Sequence, residues 1–192
     1  MSGDGFVLAS ASPRRLQLLA QIGLTPTHVH PADINEDPVA GELPRPHALR
    51  LAQEKAAAVN AHYPGQIILA ADTVVAVGRR ILPKTLVRAE AEQCLRLLRG
   101  RAHRVFTGVC VIDADGVARF KVSETRLKMT RLSDQQLTAY LDSEEWHGKA
   151  GGYGIQGQAA AFIPFLSGSY TGVVGLPIYE TAAMLRTAGL KV

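Results

Sequence analysis

One stretch constrains the fold of this chain more than any other. From Gln66 to Val77 the sequence reads Gln-Ile-Ile-Leu-Ala-Ala-Asp-Thr-Val-Val-Ala-Val. An apolar run that does not alternate reads as a strand covered on both faces, the kind found inside α/β sheets. Asp72 is the only ionisable group within it. A carboxylate in such a strand is costly unless it is paired, metal-bound or at the edge of a cleft. Two readings follow for Asp72. It is a general base or metal ligand at the floor of a pocket, or a structural aspartate bonded to nearby backbone N–H groups.

Strand and helix signals alternate around this run. Phe6-Val7-Leu8 is a short apolar strand leading into a helix, with Ser12 suited to the N-cap and Pro13 to the first helical position. Leu16, Leu19 and Ala20 read as that helix's apolar face and Gly23 as its stop. A Pro-, Asp- and Glu-rich loop spans Pro31 to Pro46, and a helix is expected over His47 to Ala61 with Leu49, Ala52, Ala56 and Val59 on one side. Gly78-Arg79 turns the central strand toward a short strand at Ile81-Leu82. Arg88 to Leu98 is an amphipathic helix stopped by Gly100. Two strands, His103 to Ile112 and Val117 to Thr130, flank a hairpin turn at Asp113-Ala114-Asp115-Gly116. Ser133-Asp134-Gln135-Gln136 is a capping box opening a helix to Leu141. After a glycine-rich segment, Gly148 to Gly157, a further strand is expected at Ala159 to Leu166. Gly175-Leu176-Pro177 then opens a terminal helix ending near Gly189. Hairpins together with strand–helix units imply an α/β fold with a mixed sheet.

The 192 residues suit one domain spanning the chain, built as two lobes. Hydrophobic content of 47% and charged content of 20% are those of a soluble globular protein. No apolar run approaches a membrane span, and the N-terminal apolar stretch, cut by Ser12-Pro13, is too short for a signal peptide. Cys94 and Cys110 are isolated, as expected of reduced cytosolic cysteines, and the six histidines lack metal-ligand spacing. A net charge of +4 with dispersed arginines, and no aromatic-plus-basic platform, argues against a nucleic-acid surface.

Several residues suggest chemistry. Arg14 and Arg15 stand in the first turn of a helix, where the dipole disfavours cations and free N–H groups attract anions. The pair is either a solvated surface feature or the seat of a strongly anionic ligand such as a polyphosphate. Glu36 belongs to the acidic loop, with Asp33 and Asp37 as weaker neighbours. If the loop folds back toward Asp72, two carboxylates could share Mg²⁺ together with phosphate oxygens. Lys55 by periodicity is an ordinary exposed helix lysine, and Lys84, just after the buried strand, either reaches a pocket or is a common turn lysine. Lys149 to Gly157 lacks the ending of a Walker A loop. Its glycines permit close backbone approach to a ligand, and the Gln156 amide can read a nucleobase edge. Clustered cations, candidate metal carboxylates and an amide at a glycine loop fit cleavage of a nucleoside triphosphate, which needs charge neutralisation and alignment.

These segments also carry a family resemblance. Leu8-Ala9-Ser10-Ala11-Ser12-Pro13-Arg14-Arg15, Ala71-Asp72-Thr73, Lys149-Ala150-Gly151-Gly152-Tyr153-Gly154-Ile155-Gln156-Gly157 and Val174-Gly175-Leu176-Pro177 resemble the motifs of the Maf family of nucleoside triphosphate pyrophosphatases, in order and over nearly the whole chain. The resemblance implies a two-lobed α/β fold similar to that of inosine triphosphate pyrophosphatases, with the site between the lobes. It also implies a cytoplasmic enzyme, a divalent cation (Mg²⁺ or Mn²⁺) and a homodimer. By the same resemblance Asp72 is the proton acceptor, and the carboxylate reading above makes Glu36 and Asp72 the candidate metal ligands. The resemblance makes Ser10 (or Ser12), Arg14, Arg15, Lys55 and Lys84 the expected substrate-binding residues. Arg14, Thr73 and Gln156 match the selectivity positions of the branch that acts on dTTP and UTP. Two positions depart from the family pattern: Lys84 is followed by Thr85 and preceded by Pro83, and Asn35 stands where Asp is frequent. A non-catalytic nucleotide-binding regulator of cell division and a purine (inosine/xanthosine) triphosphate pyrophosphatase are the alternative functions.

Overall fold

The computed structural model describes residues 5–192. In chain order the elements are β1 (Phe6–Leu8), α1 (Pro13–Gln21), β2 (His28–Val29), α2 (Pro44–Asn60), β3 (Ile67–Val77), β4 (Arg80–Leu82), β5 (Lys84–Thr85) and α3 (Arg88–Leu98). Then come β6 (Ala102–Ile112), β7 (Ala118–Lys128), α4 (Asp134–Asp142), β8 (Lys149–Ala150), a 3-10 turn at Gln158–Phe162, β9 (Phe165–Ser167), α5 (Tyr170–Val174) and α6 (Ile178–Thr187). Among the described residues the main sheet has seven strands in the order β2-β1-β3-β6-β7-β9, with β4 also on β3; β5 and β8 form a separate pair. β1 runs parallel to β2 and β3, and the other pairings are antiparallel. The expected mixed sheet with flanking helices is therefore present.

β3 is central and covered on both faces, as its composition requires. Ile67, Leu69, Ala71 and Val75 join the larger core with Leu18, Leu95, Leu98 and Leu185 from the helices of that side. Ile68 and Ala70 face the other way, against Ala52, Ala56 and Val59 of α2. Val74 and Ala76 meet Ala48 and Phe106 on that same side. Strand alternation thus hands Asp72 to the α2 face and Thr73 to the opposite one.

α2 approaches this face closely because β6 carries a glycine beneath it. Gly108 is the register partner of Asp72. A Cβ on Gly108 would lie 2.2 Å from the Ala48 carbonyl oxygen. Seven residues, about two helical turns, beyond that contact comes Lys55. It belongs to the buried side of α2 with Ala48, Leu51, Ala52, Ala56 and Val59. α2 starts at Pro44, earlier than expected, and Leu49 is only half-buried.

Other expectations need correction. The strand expected at Ala159–Leu166 is instead the 3-10 turn followed by β9. Three alanines have little strand preference, and Pro164 cannot donate to a ladder. On α1 the buried residues are Arg15, Leu18 and Leu19, while Ala20 is exposed. Ser12 has N-cap backbone angles, but its side chain makes no capping bond. The capping box at Ser133 and Gln136 forms as read. So does the hairpin, where Asp113 Oδ1 accepts from the Asp115 and Val117 N–H groups. Cys94 and Cys110 are free and buried.

Candidate active site

A cleft of about 690 Å³ opens where the end of β1, the start of α1, the acidic loop, the glycine-rich segment and the α5 terminus converge. This volume is typical of sites for small organic ligands. Five cationic side chains line it (Arg14, Arg15, Lys55, Lys84 and Lys149) against two carboxylates, Glu36 and Glu145. Such an excess of positive charge in a concave wall attracts polyanions.

The β1–α1 junction places the first two cations. The Ser10 hydroxyl accepts from the Ser12 N–H at 3.1 Å and from Arg15 Nη1 at 2.7 Å. Arg15 Nε donates to the Gly175 carbonyl at 2.9 Å. Arg15 is buried and clasps the start of α1 to the end of α5. Burial pushes its guanidinium down from the usual value, while Asp72 favours its charge. Arg14 remains half-buried, and burial lowers it as well. Ser12 lines the cleft as well, so the uncapped turn of α1 faces it.

The acidic loop does fold back toward Asp72. Lys55 Nζ lies 2.6 Å from Asp72 Oδ1 and 2.5 Å from Glu36 Oε1. Lys84 Nζ pairs with Glu36 Oε2 and stands 3.9 Å from Asp72 Oδ1. Burial alone would raise the Glu36 carboxyl, but hydrogen bonds from Lys55 and Lys84 outweigh it and hold Glu36 down at about 2. Lys55 is not the exposed helix lysine that periodicity suggests; it is 6% exposed and joins both acids. The altered residues around Lys84 and the Asn35 substitution leave the Glu36–Lys84 pair intact.

Asp72 differs from expectation in one respect. It is 2% exposed and does not line the large cleft. Lys55 stands in front of it. Asp72 instead lines a smaller hollow of about 350 Å³, whose wall shares Glu36, Thr73, Lys84 and Ala150 with the cleft.

The remaining wall holds residues that motif reading passed over. Val75, Val105, Ile155 and Val173 supply apolar lining to the cleft, and Val75 and Val105 are register partners on β3 and β6, two residues along from the Thr73–Thr107 pair on the same face. Gln156 is exposed on the same cleft. Glu145 accepts from the Gln158 N–H at 2.8 Å, and a Cβ on Gly157 would fall 2.0 Å from its Oε2. That glycine is needed so the Glu145 carboxylate can lie against the loop backbone. Lys149 Nζ donates to the Glu145 carbonyl; burial lowers its ammonium, as does nearby Arg14. The Tyr153 hydroxyl lies 2.7 Å from His103 Nε2, which pins the glycine-rich segment to β6. Tyr153 and Lys149 stand inside the motif and could have been found there. His103 and Thr107, which lie in an ordinary strand, carried no such signal.

All nine substrate-binding and metal candidates other than Asp72 (Ser10, Ser12, Arg14, Arg15, Glu36, Lys55, Thr73, Lys84 and Gln156) line this one cleft. Among the described residues no group of three or more His, Cys, Asp or Glu side chains is placed to hold a metal. Two neighbouring carboxylates, one held ionised, do suit a hard cation that takes most of its ligands from phosphate and water.

A protein of Novosphingobium aromaticivorans named dTTP/UTP pyrophosphatase is 58% identical over 186 residues, covering 97% of this chain and 92% of that one. A Caulobacter vibrioides protein of the same name is 57% identical over 190 residues, covering 99% and 98%. Among solved structures, a nucleoside-triphosphatase (dITP/XTP pyrophosphatase) from Mycobacterium abscessus is similar at TM-score 0.42 and 17% identity, over 67% of this chain and 74% of that one, too distant to carry an argument. The sequence pattern of the Maf-like protein family matches residues 5–188, from β1 to the end of α6, so every element that builds the cleft falls within it and the chain belongs to that family.

Proposed function

We propose that this protein hydrolyses dTTP and UTP to the nucleoside monophosphate and pyrophosphate. The observation that carries the reading is the cleft itself. Lysines that hold Glu36 and Asp72 line it, and so do apolar and hydrogen-bonding side chains. A triphosphate brings several negative charges to a wall bearing Arg14, Arg15, Lys55, Lys84 and the uncapped turn of α1. Its oxygens compete with Glu36 and Asp72 for the two lysines. As Lys55 turns toward the phosphates, the Asp72 carboxylate is released to act as a base. A water oxygen then bonds to the α-phosphorus, its proton passes to Asp72, and the bond from that phosphorus to the α–β bridging oxygen breaks. Pyrophosphate leaves with the bridging oxygen.

A divalent cation, Mg²⁺ or Mn²⁺, fits beside the triphosphate, with Glu36 and Asp72 as the residues that would hold it. When bound it neutralises charge on the phosphate oxygens. The base packs on the apolar lining of Val75, Val105, Ile155 and Val173, where Thr73 and Gln156 meet its polar edge. A cytoplasmic homodimer belongs to the same proposal, on the strength of the family resemblance. Among the described residues no helix is long and apolar enough to cross a membrane. The relatives named above favour the pyrimidine substrates over a purine triphosphate or a purely regulatory role.

Asp72→Asn is the decisive variant. It keeps the shape of the site and removes the base. Turnover of dTTP should fall by roughly 10²–10⁴-fold, the usual share of a general base. Nucleotide binding, read by calorimetry, should persist. Pyrophosphate release close to that of the parent protein would overturn the assignment.

A further inference from the structure

We infer that Thr107, a fully buried residue outside every motif of the site, is a positioning residue that makes Thr73 an obligate hydrogen-bond acceptor and so selects bases with an N3–H. The inference rests on the proposed function above and deepens it. Thr107 Oγ1 lies 2.7 Å from the Gly172 carbonyl oxygen. A carbonyl can only accept, so the single hydroxyl proton of Thr107 is committed to that bond. Thr73 Oγ1 lies 3.0 Å from Thr107 Oγ1. With the Thr107 proton already placed, Thr73 is the donor in this second bond. Its own proton points away from the cleft, and only lone pairs remain to face a ligand.

This polarity has a chemical consequence. Thr73 lines the cleft together with Val75, Val105 and Val173. A phosphate oxygen, itself an acceptor, is the wrong partner for it. An N–H is the right one. Uracil and thymine each carry one ring N–H, at N3, whereas cytosine presents an unprotonated lone pair at N3. Two lone pairs facing each other in a desolvated site repel, and neither group keeps its hydrogen bond. The device depends on register: Thr73 and Thr107 are directly opposed on β3 and β6. It also depends on α5 bringing the Gly172 carbonyl onto the strand, where Thr107 has no exposure.

The test compares kcat/KM for UTP and CTP in the parent protein, Thr107→Val and Thr107→Ser, with thermal melting as a check on folding. The parent should prefer UTP. Thr107→Val keeps the shape, frees the Thr73 hydroxyl to rotate, and should reduce the UTP-over-CTP preference about tenfold, chiefly through improved use of CTP. Thr107→Ser keeps the relay and should retain the preference. 3-Methyl-UTP, which lacks the N3–H, serves as a probe on the parent protein alone and should compete poorly with UTP. The inference is overturned if the parent uses CTP as well as UTP, or if folded Thr107→Val keeps the parental ratio. It is also overturned if Thr107→Ser loses the ratio as Val does, or if 3-methyl-UTP competes like UTP. Absence of pyrophosphate release from every nucleotide would instead contradict the proposed function.

Discussion

Lys55 is a residue type expected in solvent that stands instead on the buried stripe of α2, in line with Ala48, Ala52 and Val59. Its neighbours Gln53, Glu54 and Ala57 are those of a solvated helix, yet it is buried and bonded to two carboxylates. Burying a lone Asp72 inside a sheet would be prohibitive, and the ammonium offsets that cost only because its geometry is close. Removing one partner therefore costs more than removing both. Lys55→Met should lower stability by roughly 3 kcal/mol, since it leaves the Asp72 carboxylate buried without its main partner. Adding Asp72→Asn should recover much of that loss. Urea unfolding of the two single variants and the double variant measures the coupling. Additive losses would mean the pair carries no mutual stabilisation.

At the scale of elements, β6 joins the core to the site. Besides Gly108 under α2 and Thr107 beside Thr73, it contributes His103, which holds the Tyr153 hydroxyl and with it the glycine-rich segment. Burial pushes the His103 ring from 6.5 down to about 4. The unfolded chain therefore takes up a proton between those values while the folded chain does not, so stability falls as pH drops through that window. Between pH 7 and pH 5 this one residue should cost about 2 kcal/mol. Thermal or urea unfolding at the two pH values checks it, and His103→Gln should flatten the slope; an equal slope in the variant would assign the acid sensitivity elsewhere. Glu36 does not contribute in this range. Its value of about 2 is depressed from 4.5, so its contribution is complete above pH 4.5 and is lost only on further acidification. Elements with strong local signals could be read from the sequence: β3 from its apolar run, α4 from its capping box, the β6–β7 turn from Asp113 and Gly116. The true bounds of β9, Phe165–Ser167, and the two-residue strands β2, β5 and β8, could not. Their pairing is set by partners distant in the chain, which local propensity does not encode.

For the molecule as a whole, the topology turns scattered charges into one site. Motif reading supplied the residues of the cleft, because polar groups in apolar or glycine-rich surroundings stand out in a sequence. It missed how they are layered. Asp72 sits behind Lys55 rather than on the wall, because strand alternation and the Gly108 contact put it under α2. The relay from Thr73 through Thr107 to Gly172 links β3, β6 and α5, and nothing in any one of those segments announces it. The central claim is that this layered acid directs water at the α-phosphorus of a pyrimidine triphosphate. Hydrolysis of dTTP in ¹⁸O-labelled water, with mass spectrometry of the products, tests it most directly. The account predicts that the label appears in dTMP and that pyrophosphate is released unlabelled; label in pyrophosphate, or release of single labelled phosphate with dTDP, would contradict it.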